Sequence, residues 1–207
     1  MLFRSEGGSR IRSREGIVFI GDSITRLGGG KGGWIDMVLD GLKEKGVTNI
    51  VAYRAGWDGQ TSGDMLARFE KLIIQPGVKW VSLSCGVNDV WGFDWQRGVM
   101  LSDYKRNVRR MLDIAAKRGV NVILLTPTLV GEDPERARNR ILKPYAEFIR
   151  SEAKRRGVLL ADVNRAEVEG LKKLAAKGVK YYTYDGVHPV EAGHKLFAQT
   201  VLETITK

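Results

Sequence analysis

The chain predicts an α/β fold built on a five-stranded parallel sheet with helices on both faces. Three observations carry that prediction. Apolar or β-branched runs alternate with segments of helical period along all 207 residues, the pattern of right-handed βαβ units. A Gly-Val pair recurs where each helix should hand over to a strand, at Gly46-Val47, Gly77-Val78, Gly119-Val120, Gly157-Val158 and Gly178-Val179. The run Val122-Ile123-Leu124-Leu125 is apolar throughout, as expected of a strand buried on both faces.

The elements follow in order. Ile17–Ile20 reads as the first strand, and a helical stretch starts just beyond Ser23. Trp34–Lys45 has helical period and leads to a second strand over Asn49–Tyr53. Ser62–Ile73 is a helix opened by Thr61 and Asp64, the spacing of a capping box. A strand over Lys79–Ser84 and a helix over Asp103–Lys117 come next, then a strand over Asn121–Thr126. Pro134–Arg156 reads as one long helix, with Asp133 as N-cap and Pro134 at the first position. Pro144 is expected to kink or split it. Leu159–Val163 is the fifth strand, followed by helices over Arg165–Ala176 and Glu191–Ile205. The Gly-Val pairs are unequally spaced, so they punctuate loops and do not mark a solenoid. No linker divides the chain, and one domain over residues 1–207 is expected, with a basic N-terminal segment over 1–15.

Composition excludes several classes. Hydrophobic residues make up 43% of the chain, enough for one sizeable core. No apolar stretch approaches the ~20 residues that span a bilayer, so no membrane partner is expected. Residues 1–16 hold several arginines and no apolar segment, so no secretory signal is seen and a cytoplasmic location is expected. The single cysteine, Cys85, cannot form an intrachain disulfide or a zinc cluster. Net charge is +10, from 34 basic and 24 acidic residues. Much of that charge sits where helices should end, as in Lys43, Lys117, Lys154-Arg155-Arg156 and Lys177, where cations complement the helix dipole. No nucleic-acid motif accompanies it, so no nucleic-acid partner is expected.

Strand one ends in Gly21-Asp22-Ser23-Ile24, which delivers a serine to the sheet edge where ligands bind in open α/β folds. Gly59 and Asn88 follow strands two and three and gather at the same edge. Gly59 would present a backbone N–H, and the Asn88 amide is a donor suited to a developing oxyanion; as ordinary loop residues, both would be turn formers. Asp185-Gly186-Val187-His188 places a carboxylate and an imidazole three residues apart. His194 falls within the last helix and is expected to be structural, which leaves His188 as the candidate base. A serine, a histidine and an orienting aspartate are the components of nucleophilic acyl transfer. The run Gly28–Gly33 matches neither the dinucleotide nor the Walker context and reads as a loop bordering the site. Trp57, Trp91 and Trp95 lie beside Gly59 and Asn88 and are candidates for substrate contact, as is Asp22; core packing is the alternative for the large aromatics.

Gly21-Asp22-Ser23-Ile24, Gly59, Gly86-Val87-Asn88 and Asp185-x-x-His188 occur in the order of the four blocks of the SGNH/GDSL hydrolases, and the chain resembles that family over about residues 16–200. The resemblance implies a flavodoxin-like three-layer α/β/α fold. It implies Ser23 as nucleophile, His188 as base and Asp185 as its orienter, with Ser23 N–H, Gly59 N–H and Asn88 forming the oxyanion hole, and no metal or cofactor. Arg54 stands where many members carry asparagine. The phrases around Asn88 and His188 are similar to those of the carbohydrate acetylesterases. The expected activity is hydrolysis of short acyl esters, acetyl above all, on a small-molecule or carbohydrate substrate. Lipolytic or thioester hydrolysis, acyl transfer to an alcohol, and a non-catalytic module for polyanions or carbohydrate are the other readings. These motifs encode neither the leaving alcohol nor an oligomeric state.

Overall fold

The computed structural model describes residues 9–176 and 182–207. Five strands form one parallel sheet: β1 (Gly16–Gly21), β2 (Val51–Gly56), β3 (Val78–Ser84), β4 (Asn121–Leu125) and β5 (Leu159–Ala161), in the order β2-β1-β3-β4-β5. The helices are α1 (Ser23–Leu27), α2 (Trp34–Glu44), α3 (Ser62–Ile73), α4 (Val87–Trp91), α5 (Leu101–Lys117), α6 (Ala137–Arg156), α7 (Val163–Ala176) and α8 (Glu191–Ile205).

Strand pleating divides the core in two. Val18 and Ile20 of β1, with Val122 and Leu124 of β4, pack among Met65, Phe69, Tyr104, Met111 and Phe148 of α3, α5 and α6. Ile17 and Phe19, with Ile123 and Leu125, face the other way, toward Trp34, Val38 and Leu42 of α2 and Phe197 and Val201 of α8. Alternate residues of one strand thus serve opposite layers, and the three-layer α/β/α architecture follows. Trp34 keys the second layer. Its indole N–H donates to the Ile24 carbonyl at 3.1 Å, and its ring meets Phe19 edge-on with centroids 5.6 Å apart.

Strand two is shifted along the chain from the expected Asn49–Tyr53. It is the edge strand, and Tyr53 and Arg54 are only partly buried or exposed, so an apolar run does not mark its end. The helix expected from Pro134 starts at Ala137. Asp133 caps a turn instead, accepting from Glu135 N–H at 2.9 Å. The α6 helix runs unbroken through Pro144. Gly46, Gly119 and Gly157 take positive φ, at 81°, 65° and 65°, where α2, α5 and α6 end in the left-handed region; Gly77, at 74°, takes it in the turn just before β3. The fifth such pair, Gly178-Val179, and Lys177 lie outside the described residues. Lysine or arginine occupies the last turn of α2, α3, α5, α6 and α7, the placement expected from the helix dipole. The basic N-terminal segment is knitted in where it is described. Ile11 is fully buried, Arg10 N–H donates to Ile205 carbonyl at 2.8 Å, and Glu15 accepts the Trp80 indole N–H at 2.8 Å.

The loop between β4 and α6 braces the loop that enters α8. Glu132 Oε1 accepts from the backbone N–H groups of Tyr182 and Thr183 at 2.6 and 2.7 Å, and Gly131 N–H donates to Gly186 carbonyl at 2.6 Å. Behind this brace, Glu167 of α7 is buried and accepts from Leu129 N–H at 2.8 Å. Burial, with a smaller push from Glu132, raises its pKa from 4.5 to about 8.

That shift predicts a pH dependence of stability. The folded carboxyl keeps its proton up to about pH 8, whereas the unfolded one loses it near 4.5. The unfolded chain therefore binds fewer protons in between, and stability falls as pH rises through that window. Glu167→Gln is neutral at every pH and should flatten the fall in urea midpoint between about pH 5 and 8. Equal slopes in the variant and the parent protein would contradict this assignment.

Candidate active site

Strands β1, β2 and β3 end at one edge of the sheet, and the segments leaving them carry Ser23 at the start of α1, Gly59 in a loop and Asn88 on α4. Gly21 lets the chain turn at the end of β1. A Cβ there would lie 2.0 Å from Thr25 Oγ1, so only glycine allows α1 to fold back so closely. Asp22 then caps α1, its Oδ1 accepting from Ile24 N–H at 2.9 Å. This arrangement leaves Ser23 as the first residue of α1, with its hydroxyl at the cleft.

Ser23 Oγ lies 2.8 Å from His188 Nε2, and His188 Nδ1 lies 2.5 Å from Asp185 Oδ2. Asp185 Oδ1 accepts from the backbone N–H groups of Val187 and His188 at 3.0 and 2.8 Å. Partial burial opposes ionisation of Asp185, but these bonds from His188 and Val187 outweigh it and hold the carboxyl below its usual range. An ionised carboxylate only accepts, so Nδ1 carries the ring proton. Nε2 is then the acceptor that faces the serine hydroxyl, the arrangement needed to remove its proton. Tyr184 stacks on the His188 ring, with centroids 5.7 Å apart and planes 19° apart.

Ser23, Gly59, Asn88 and His188 line one cleft of about 590 Å3, together with Arg26, Asp58, Thr61, Trp91, Trp95, Arg97 and Tyr184 among others. The Asn88 amide donates one hydrogen to Gln60 carbonyl at 3.2 Å, which fixes its orientation and leaves its second hydrogen for another acceptor. The predicted aromatics divide. Trp91, on α4, and Trp95, at the end of a 3-10 turn over Gly92–Trp95 and 71% exposed, line the cleft. Trp57 does not; its ring lies 3.4 Å from the Arg68 guanidinium, a cation–π stack on the flank of the loop.

Asp22 is also not at the cleft surface. It is 2% exposed and spends its carboxylate on capping α1. Burial raises its pKa to about 6, against the lowering effect of Ile24 N–H and of His188. The expectation that it touches substrate failed because a carboxylate just before a helix start is first of all an N-cap. The run Gly28–Gly33 is a turn joining α1 to α2 and does not line the cleft. Gly33 approaches Gly28 so closely that a Cβ would sit 2.3 Å from the Gly28 carbonyl. His194 is structural, its Nδ1 accepting from Trp34 N–H at 3.3 Å where α2 begins; burial lowers its pKa and favours that neutral acceptor. Cys85 is buried, and burial pushes its thiol pKa well up, which removes it as a nucleophile. Among the described residues no group of three or more acidic, histidine or cysteine side chains is placed to hold a metal, and no helix is long and apolar enough to cross a membrane.

Sequence reasoning missed Arg26, Asp58, Arg97 and Tyr184 as cleft residues, and read Thr61 only as a helix cap. Three of these had a usable signal. Arg26 is one helical turn beyond Ser23, Asp58 precedes Gly59, and Tyr184 precedes Asp185, so each neighbours a predicted site residue in the chain. Arg97 had none, because the turn that carries it to the cleft has no periodicity to read.

Residues 19–196 match the GDSL-like lipase/acylhydrolase family. An acetylxylan esterase from Geobacillus stearothermophilus is 29% identical over 95% of this chain and 96% of its own length. A crystal structure of an acetylxylan esterase from that organism superposes with a TM-score of 0.83, and an alpha/beta hydrolase enzyme from the metagenome of Lake Arreo, 26% identical over 94% of this chain and 96% of its own, with 0.81. The catalytic mutants solved for the Geobacillus enzyme replace a serine, an aspartate and a histidine by alanine. The chain belongs to the GDSL-like lipase/acylhydrolase family, and it is a carboxylic ester hydrolase.

Proposed function

We propose that the protein removes acetyl groups from carbohydrate, through an acyl-enzyme formed on Ser23. The observation that carries this reading is the unbroken relay from Asp185 through His188 to Ser23, at 2.5 and 2.8 Å, opening into an aromatic-walled cleft. His188 Nε2 takes the Ser23 proton as Oγ attacks the ester carbonyl. The carbonyl oxygen becomes an oxyanion, held by Ser23 N–H, Gly59 N–H and the free Asn88 amide hydrogen. The C–O bond to the alcohol then breaks, and the alcohol leaves with the proton from His188. Water attacks the acetyl-serine by the same proton transfers and releases acetate.

The walls of the cleft support a small acyl group and a sugar-like alcohol. Arg26, Asp58 and Arg97 would have to be desolvated against a long alkyl chain. Trp91, Trp95 and Tyr184 offer flat apolar faces with polar edges, suited to a pyranose ring. The similar Geobacillus enzyme is an acetylxylan esterase.

Aryl esters of increasing acyl length, run beside acetylated xylan and acyl-coenzyme A, test the substrate. The reading expects acetyl to be preferred and acetate to be released from the polysaccharide; preference for long chains would make the enzyme lipolytic. Asn88→Ala should lower kcat by about 10²–10³-fold, and an unchanged kcat would make Asn88 an ordinary turn residue. The pH profile is a third test. An imidazolium cannot accept the Ser23 proton, so kcat/KM should fall on the acid side. Asp185, held below the usual carboxylate range, stays ionised there. A flat profile from acid to neutral pH would contradict His188 as base.

A further inference from the structure

Two of the donors assigned to the oxyanion hole hang from strands that do not touch. Gly59 follows β2 and Asn88 follows β3, with β1 between them. A donor displaced by about 1 Å can cost about 10²-fold in rate, so the two loops need a tie.

Asp89 makes it. The side chain is fully buried, and both of its oxygens accept from Ser62 N–H, at 3.1 and 3.0 Å. Its Oδ1 also takes the Ser62 hydroxyl. Ser62 is the first residue of α3, three residues after Gly59, while Asp89 adjoins Asn88. The Asn107 amide on α5 donates to Ser62 Oγ at 3.1 Å, which leaves the hydroxyl proton for Asp89. Asn88 adds the bond to Gln60 carbonyl, and the Thr61–Asp64 capping box stiffens the residues between. Among the described residues no cation pairs with Asp89. A buried carboxylate without a counter-ion opposes folding, and burial raises this one to about 6, against the bonds from Ser62. The same carboxylate that satisfies the first N–H of α3 thereby joins the Gly59 loop to the Asn88 helix.

We propose that Asp89 is a positioning residue for the oxyanion hole, locking the Gly59 loop to the Asn88 helix so that both donors meet one oxygen. The proposal rests on the reading of Gly59 and Asn88 as donors. Asp89→Asn would keep one acceptor for Ser62 but turn an amide donor toward it, loosening the tie without touching the aromatic walls that bind the ground state.

The test uses Asp89→Asn, Ser62→Ala, Asn88→Ala and the Asp89→Asn/Asn88→Ala double variant on an aryl acetate, with melting temperature as a folding control. Asp89→Asn should lower kcat about 10–100-fold with KM within about twofold. Inhibition by an arylboronic acid, whose tetrahedral adduct on Ser23 puts an oxygen in the hole, should weaken by a similar factor. The double variant should be slower than Asn88→Ala by clearly less than the Asp89→Asn factor, because only Gly59 is then left to be misaligned. If Asp89→Asn does not fold, Ser62→Ala carries the test. It keeps both backbone bonds and should show a smaller loss, in kcat and not in KM. Parent-like kcat in Asp89→Asn and Ser62→Ala, or losses that multiply in the double variant, would overturn the proposal while an Asn88→Ala defect left the oxyanion reading standing. A normal Asn88→Ala enzyme would overturn that reading and the proposal with it.

Discussion

The site depends on one contact, between Ser23 Oγ and His188 Nε2, made across 165 positions of sequence. Each end is held by a different part of the fold. Ser23 is held by the end of β1, the close turn at Gly21 and the Asp22 cap. His188 is held by Asp185, which grips both the imidazole and the backbone of the same short loop. That loop is braced in turn by Glu132 and Gly131, and closed by Val190 N–H donating to Tyr182 carbonyl at 2.8 Å and Tyr184 N–H donating to His188 carbonyl at 3.0 Å. The serine is thus presented by the sheet, and the base by a loop stapled to a neighbouring loop.

Among the described residues, three buried carboxylates near these loops, Asp22, Asp89 and Glu167, have no ion-pair partner. Asp22 and Asp89 are pushed up to about 6, and Glu167 to about 8, in each case chiefly by burial. A raised carboxylate pKa means that folding is opposed at pH values above it. Buried acids that only shaped the core would be replaceable by neutral groups. Here Asp22 and Asp89 sit directly beside the residues of the cleft, so stability is given up where geometry is needed. Elsewhere a buried acid is neutralised: Glu152, 2% exposed in its side chain, lies among Arg109, Arg155 and Arg156 on the far side of the molecule.

The fold was legible because its signals are local. The glycines before valine require left-handed backbone, and β1 and β4 are apolar on both faces, so strand number and layer order could be read directly. The relay was legible because Ser23, Asp185 and His188 stand in short blocks with few rivals; with two histidines in the chain, the base was nearly determined by elimination. The misreadings share a cause. Asp22 and Trp57 were judged by proximity in sequence to the site, whereas a cap and a cation–π partner are set by tertiary neighbours. The edge strand β2 has one face toward water, so polarity blurred its end. Arg97 reaches the cleft through the turn after Trp95, where Gln96 takes positive φ, a geometry with no sequence period.

The central claim is that remote segments converge to make one serine nucleophilic. The most direct measurement is covalent labelling with an organophosphonate, followed by peptide mass spectrometry on the parent protein and on His188→Ala. The account predicts one adduct per chain, on Ser23, and almost none in the variant at equal concentration and time. Labelling at another residue, or labelling of Ser23 at an unchanged rate without His188, would contradict it.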